Sequence, residues 1–239
     1  MEIMKLIEAK QNKLWDSKIP TIAFLGDSLT QGCFEFYLKS GGKEFATYFD
    51  RRYSYPEYLS DILSELYPAV PINIVNAGVS GGNSVNGLRR LERDVLSQNP
   101  DLTVVCFGLN DAFDVDIDDY HNALKEIFAK LKESGSEVIF MTPNMMATEV
   151  SCHITDDVIK KTAELAVKLQ NDGTVDKYIE SGKSAAREGR IKICDVYEKW
   201  KNLAANGVLI TDLLANHINH PTRSMNRLFA YSLLEAMMR

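Results

Sequence analysis

Five short apolar runs constrain this chain more than any other feature: "TIAFLG" (21–26), "INIVNAG" (72–78), "LTVVCFG" (102–108), "EVIFMT" (137–142) and "IKICDV" (191–196). Each is rich in Val, Ile or Phe and bounded by Gly, Pro, Asn or Asp, as strands covered on both faces are. Helical stretches lie between them: about 56–66 opened by Pro56, about 85–97, the amphipathic "DDYHNALKEIFAKLKESG", a long region over 155–188, about 196–205, and 222 to the end. The opening "MEIMKLIEAKQNKLW" has helical spacing and lacks the apolar core of a signal peptide. Strand alternating with helix predicts right-handed crossovers and one doubly wound parallel sheet. With no repeat, low-complexity tract or linker, the 239 residues read as a single α/β domain.

Composition narrows the partners. A net charge of −6 argues against nucleic acid, and no apolar run reaches the roughly 20 residues needed to cross a bilayer. The four cysteines, at 33, 106, 152 and 194, form no CxxC pair, so the expectation is a reduced, cytoplasmic protein. No cofactor or metal is expected. His217 and His220 lack the further ligands a zinc site needs, and "DVDIDD" (114–119) lacks the glycine and glutamate of a calcium loop.

In doubly wound sheets ligands bind beyond the carboxyl ends of the strands, so the residues there carry the chemistry. After the first strand, "LGDSLTQG" places Ser28 at the tip of a tight turn opened by Gly26. After the second, "NAGVSGGNS" offers amides that glycines leave unobstructed; after the third, "FGLNDA" brings Asn110 and Asp111 to the same rim. One hydroxyl, exposed amides and a carboxamide suit acyl transfer. Ser28 can attack a carbonyl while the N–H groups of Ser28 and Gly78 and the side chain of Asn110 hold the oxyanion. Asp111 reads as a cap or turn residue.

"GDS", the Gly78 of "NAGVSGG", "GLND" and a C-terminal His-Pro resemble the four blocks of the SGNH (GDSL-type) hydrolase family, with Ser28, Gly78, Asn110 and His220 on the family letters. The resemblance covers about 200 residues. It implies a flavodoxin-like three-layer sandwich whose five-stranded parallel sheet has the order 2-1-3-4-5, and a serine esterase or acyltransferase. His220 then is the base. The family commonly has an aspartate three positions earlier to accept the imidazole Nδ1–H, but here that position is His217. A neutral acceptor such as a backbone carbonyl at or near 217, or Asp212 from the preceding loop, would have to replace it; otherwise activity is lost.

The expected substrate is a small-molecule ester, with acetyl on a carbohydrate or another small polar molecule placed first. Lysophospholipase, thioesterase and acyltransferase activity, and a non-catalytic binding protein, stay open, as does a flavodoxin-type phosphate or flavin binder. No membrane partner is expected, and a homo-oligomer is compatible with the sequence. The aromatic segment 33–55 is expected to wall the pocket or pack over the sheet edge, and 143–188, with Met145 and Met146, to form a lid.

Overall fold

The computed structural model describes residues 1–39 and 45–239. A helix α1 (Glu2–Asn12) leads into β1 (Thr21–Gly26), a one-turn helix α2 (Ser28–Gln31) and a hairpin of β2 (Cys33–Leu38) and β3 (Phe45–Phe49). Then follow α3 (Tyr55–Leu66), β4 (Asn73–Gly78), α4 (Ser84–Asp94), β5 (Leu102–Cys106), α5 (Leu109–Asp114), α6 (Ile117–Glu133) and β6 (Glu137–Met141). The chain ends with α7 (Asp157–Asn171), α8 (Thr174–Glu188), β7 (Lys192–Cys194), α9 (Val196–Ala205) and α10 (Asn226–Met238). Single 3-10 turns lie at Arg51–Tyr53, Leu96–Gln98 and Ile210–Leu213.

All five apolar runs become strands of one parallel sheet in the order β4-β1-β5-β6-β7, which is 2-1-3-4-5 when only those five are counted. The runs are continuous because both faces are covered. Ile22, Phe24, Val104 and Cys106 pack with Leu59, Leu63, Phe229 and Leu233, while their neighbours Ala23, Leu25 and Val105 pack with Leu91, Leu124, Ile127 and Phe128. Burying each of the Ile, Leu, Val and Phe side chains among them contributes about 1.5–3 kcal/mol.

Two expectations need correction. The long helix over 155–188 is two helices, because Gly173 sits at φ 79 between them and takes a left-handed turn. Strand β7 stops at Cys194, where Asp195 turns to cap α9 by accepting the Glu198 N–H and also accepts from Thr142 Oγ1. The segment 33–55 is largely a hairpin; its residues 40–44 lie outside the described residues. Among the described residues no helix is long and apolar enough to cross a membrane.

The register matters for function. Gly26 pairs with both Gly78 and Cys106, so β1, β4 and β5 end level, and the loops after them share one rim.

Candidate active site

Ser28 opens α2 immediately after β1, and the Asp27 carboxylate caps that short helix by accepting the Leu29 N–H at 2.9 Å. A tight packing seat holds the turn. A Cβ on Gly26 would meet Thr30 Oγ1 at 2.0 Å, and one on Gly78 would meet Gln31 N at 2.3 Å. Both positions therefore require glycine for close approach of α2 to the strand ends. Beneath them the buried Arg90, on α4, donates to the carbonyls of Gly26 (2.7 Å) and Ala77 (2.5 Å), tying the ends of β1 and β4 together.

His220 comes from the opposite end of the chain. Its Nε2 lies 3.0 Å from Ser28 Oγ and its Nδ1 lies 2.9 Å from the carbonyl oxygen of Phe34. A carbonyl only accepts, so Nδ1 carries the proton and the Nε2 lone pair faces the serine hydroxyl. Burial pushes the imidazole pKa down to about 4; the Phe34 carbonyl and the nearby Glu35 charge act in the other direction. The imidazole is thus neutral at neutral pH, with its Nε2 lone pair facing the hydroxyl.

The Phe34 carbonyl is available for a structural reason. The β2–β3 register runs Cys33↔Phe49 and then Phe36↔Thr47, leaving one extra residue on β2. Such a bulge interrupts the ladder and re-aims the backbone. Phe36, just beyond it, sets its ring edge-on to the imidazole at 5.3 Å. On the other side, Asn216 Oδ1 accepts the N–H groups of Ile218, Asn219 and His220 at 2.9–3.0 Å, and Asn144 Nδ2 holds the Asn219 carbonyl at 2.9 Å. This is an Asn side chain organising the backbone ahead of it, as in turns.

Neither acid candidate is the partner of Nδ1. Asp212 is exposed in the 3-10 turn Ile210–Leu213. His217 sits in the left-handed region (φ 55), with Nδ1 3.4 Å from the Thr211 carbonyl and its ring stacked on His153 at 5.3 Å. A neutral acceptor was one of the expected substitutes. Its origin in a hairpin 186 residues away was not.

Ser28, Asn110 and His220 line one cavity of about 510 Å³, walled by Phe36 and Thr47 of the hairpin, by α5 and by α7. Asn110 donates one amide hydrogen to the Gly82 carbonyl at 2.8 Å, which fixes the side chain and leaves its second hydrogen to aim elsewhere. The Gly78 N–H is engaged at 3.0 Å by Asn76 Oδ1, whose own amide donates to the Thr30 carbonyl. Gly78 would therefore serve an oxyanion only by sharing or exchanging that bond. Asp111 accepts the N–H and hydroxyl of Ser84 through Oδ1 (2.9 and 2.6 Å) at the start of α4. Met145 and Met146 are buried in the core rather than forming a lid edge. Among the described residues no group of three or more His, Cys, Asp or Glu side chains could hold a metal ion.

The profile of the GDSL-like Lipase/Acylhydrolase family matches residues 24–228. The chain belongs to that family. Its GDSL-like blocks begin inside β1 and end in α10, so the match takes in every strand of the main sheet. An acetylxylan esterase of Geobacillus stearothermophilus is 33% identical over 101 residues, covering 37% of this chain and 46% of that protein, so the chain spans less than half the length of this curated relative. A crystal structure of an acetylxylan esterase from the same organism superposes with a TM-score of 0.67 at 22% identity, over 91% of this chain and 94% of that one. An alpha/beta hydrolase enzyme from the metagenome of Lake Arreo, Spain, gives 0.68 at 19% identity, over 92% and 95%. At such identities the two structures speak for the fold.

Proposed function

We propose that the protein is a serine esterase acting on a short acyl ester, acetyl first, carried by a carbohydrate or another small polar molecule. One observation carries this reading: Ser28 Oγ stands 3.0 Å from an imidazole whose other nitrogen is already committed, at the mouth of a cavity that also holds Asn110. In the proposed mechanism Ser28 attacks the ester carbonyl and His220 Nε2 takes the hydroxyl proton. The amide of Asn110, the first-turn N–H of Ser28 and, once released from Asn76, the N–H of Gly78 receive the developing oxyanion. His220 returns the proton to the leaving alcohol, and water releases the acyl group by the reverse path.

A carbonyl in the aspartate's place supplies orientation and tautomer but no full charge, so the imidazolium that forms is held less strongly than in a triad. The substrate preference follows from the cavity walls. Phe36, Phe113 and Leu165 are interleaved with Ser80, Asn110 and Asn219, and Lys161 and Asp114 stand among them. A mixed lining of this kind suits a hydroxyl-rich ring bearing a small acyl group better than a long acyl chain. The acetylxylan esterases related in sequence and fold support the same choice.

The decisive measurement compares hydrolysis of p-nitrophenyl acetate, butyrate and octanoate by the wild type and by Ser28→Ala. Activity that falls with acyl length and vanishes in the variant is expected. Equal rates for wild type and variant on every ester, together with no fluorophosphonate labelling of Ser28, would overturn the reading and leave a binding protein.

A further inference from the structure

Arg223, three positions after His220, grips the residues that hold the base. Its guanidinium lies over the Phe34 ring at 4.3 Å, and it forks onto Glu35 through Nη1–Oε1 and Nη2–Oε2, the latter at 3.0 Å. Its Nε also reaches Asp50 Oδ2 at 3.4 Å, just beyond β3, where the Asp50 N–H closes onto the Gly32 carbonyl. One side chain thus spans both roots of the hairpin and stacks on the residue whose carbonyl faces Nδ1. A bulge is a locally interrupted ladder, so a carbonyl inside it needs an outside hold to stay aimed. An arginine fork supplies that hold with defined geometry.

The same contact sets the local charge. Glu35 is the carboxylate whose field acts on His220, and Arg223 is its counter-ion. Other titratable groups near this site are Asp50 beyond β3, the buried Asp27 next to Ser28, Asp114 and Lys161 along the cavity, and His153, Asp156 and His217, which share a second pocket with Glu35 and Phe36.

Resting on the esterase reading, we propose that Arg223 is a positioning residue for His220, clamping the β2 bulge so that the Phe34 carbonyl stays on Nδ1 and cancelling the Glu35 charge beside the ring. It lines no part of the cavity and acts through Phe34 and Glu35, so its loss should fall on the chemical step rather than on substrate binding.

The test measures p-nitrophenyl acetate hydrolysis and fluorophosphonate labelling of Ser28 against pH for wild type, Arg223→Gln, Arg223→Lys, Glu35→Gln and the double variant. Arg223→Gln should lower kcat and the labelling rate by about tenfold or more through misaiming of the base, with KM unchanged. Its rising pH limb should move up, because Glu35 is uncompensated, while that of Glu35→Gln moves down, because Arg223 is; roughly 0.3–0.5 unit each way is the scale for half-exposed charges. The double variant should restore the limb's position but not the rate. Arg223→Lys, keeping charge without the fork, should leave the limb in place and recover only part of the rate. Losses of rate with the limb fixed in all variants would indicate a purely structural residue and overturn the proposal, as would wild-type rates in Arg223→Gln.

NMR of the His220 ring reads the clamp without turnover. Exchange of the Nδ1 proton should be at least about tenfold faster in Arg223→Gln, as expected when a buried hydrogen bond opens locally. Unchanged exchange would refute the clamp even in a protein without esterase activity. An unlabelled Ser28 in the wild type would refute the esterase reading and leave the clamp to the NMR result.

Discussion

Ser28 and His220 meet at 3.0 Å, yet different kinds of structure hold them. Ser28 is mounted on the sheet: β1 is buried throughout, Arg90 ties its last carbonyl to the Ala77 carbonyl near the end of β4, and glycines at 26 and 78 let α2 sit against both strand ends. His220 is mounted on a loop between two irregular supports, the Asn216 turn on one side and the bulged hairpin on the other. The position of Ser28 is a property of the core, so it is stiff and tied to folding. The position of His220 rests on a few polar contacts, which can be altered one at a time without touching the sheet. Perturbing the sheet side should therefore cost stability and activity together, whereas perturbing the hairpin side should cost activity alone.

The largest effects test that division directly. His220→Ala should reduce kcat/KM for p-nitrophenyl acetate by about 10⁴–10⁶-fold, approaching the loss of about 10⁶ seen when the base of a serine nucleophile is deleted. Because His220 is loop-mounted, the melting temperature should change little. Gly78→Ala lies on the other side. Its Cβ would fall 2.3 Å from the Gln31 N and 2.7 Å from the Thr30 carbonyl carbon, both backbone atoms that cannot turn aside. We expect a loss of about 3 kcal/mol or more by denaturant unfolding, with activity lost alongside, as for overpacking at its severe end. A stable, merely slow Gly78→Ala protein would break the comparison. Asn110→Ala should lower kcat by about 10²-fold through loss of an oxyanion donor while the fold persists.

The pH dependence sharpens it further. Because the His220 pKa is pushed down to about 4, its neutral form persists well into acid, and the rising limb of kcat/KM belongs near that value rather than near the ordinary 6.5. Stability runs the opposite way. Above pH 6.5 the imidazole is neutral folded and unfolded and contributes nothing. As pH falls from 6.5 to about 4 the unfolded chain takes up a proton that the buried site refuses, so stability drops, by at most roughly 3 kcal/mol, and levels off below. Asp27 has the other sign: burial raises it to about 7, so stability is full below 3.8 and is lost as pH rises through 7. Asp27→Asn keeps the acceptor for the Leu29 N–H, and should gain roughly 1–2 kcal/mol over the wild type near pH 8 in urea titrations.

The same contrast decides what the sequence made legible. Parallel strands buried on both faces announce themselves as apolar runs, and a doubly wound sheet gathers the loops after them at one rim, so the sheet order and the meeting of Ser28 with Asn110 at one cavity could be read without coordinates. The break at Gly173 was legible: Asn171-Asp172-Gly173-Thr174 is a run of turn and cap residues, with Asp172 accepting the Thr174 N–H, set inside an otherwise helical pattern. The hairpin was not anticipated. Among the described residues its strands pair only with each other, and its chemically relevant group is a backbone carbonyl, which every residue possesses and no motif marks. Arg223 and Asn216 did carry signals, a charge and a turn-former flanking the His-Pro pair. Their roles become visible only when the bulge they support is in place.

The smallest expected effect is the sharpest test of the hairpin's role. If Phe34 supplies the acceptor, Asp212→Asn and His217→Asn should each leave kcat/KM within about twofold of the wild type and the pH limb where it was, since neither side chain bonds the His220 ring. Asparagine suits position 217 because it tolerates the left-handed φ of 55 found there. His217→Asp is the more telling variant. It restores the family's usual residue, but the lone Nδ1 proton is already bonded at 2.9 Å to Phe34. A carboxylate at 217 can gain the imidazole only by displacing that carbonyl. Unchanged activity would mean that the hairpin holds the base against a stronger competitor. A rise in kcat, with the limb moving to higher pH as the charge stabilises the imidazolium, would mean that the loop can still swing to an acid and that the carbonyl is merely the partner it finds when none is offered.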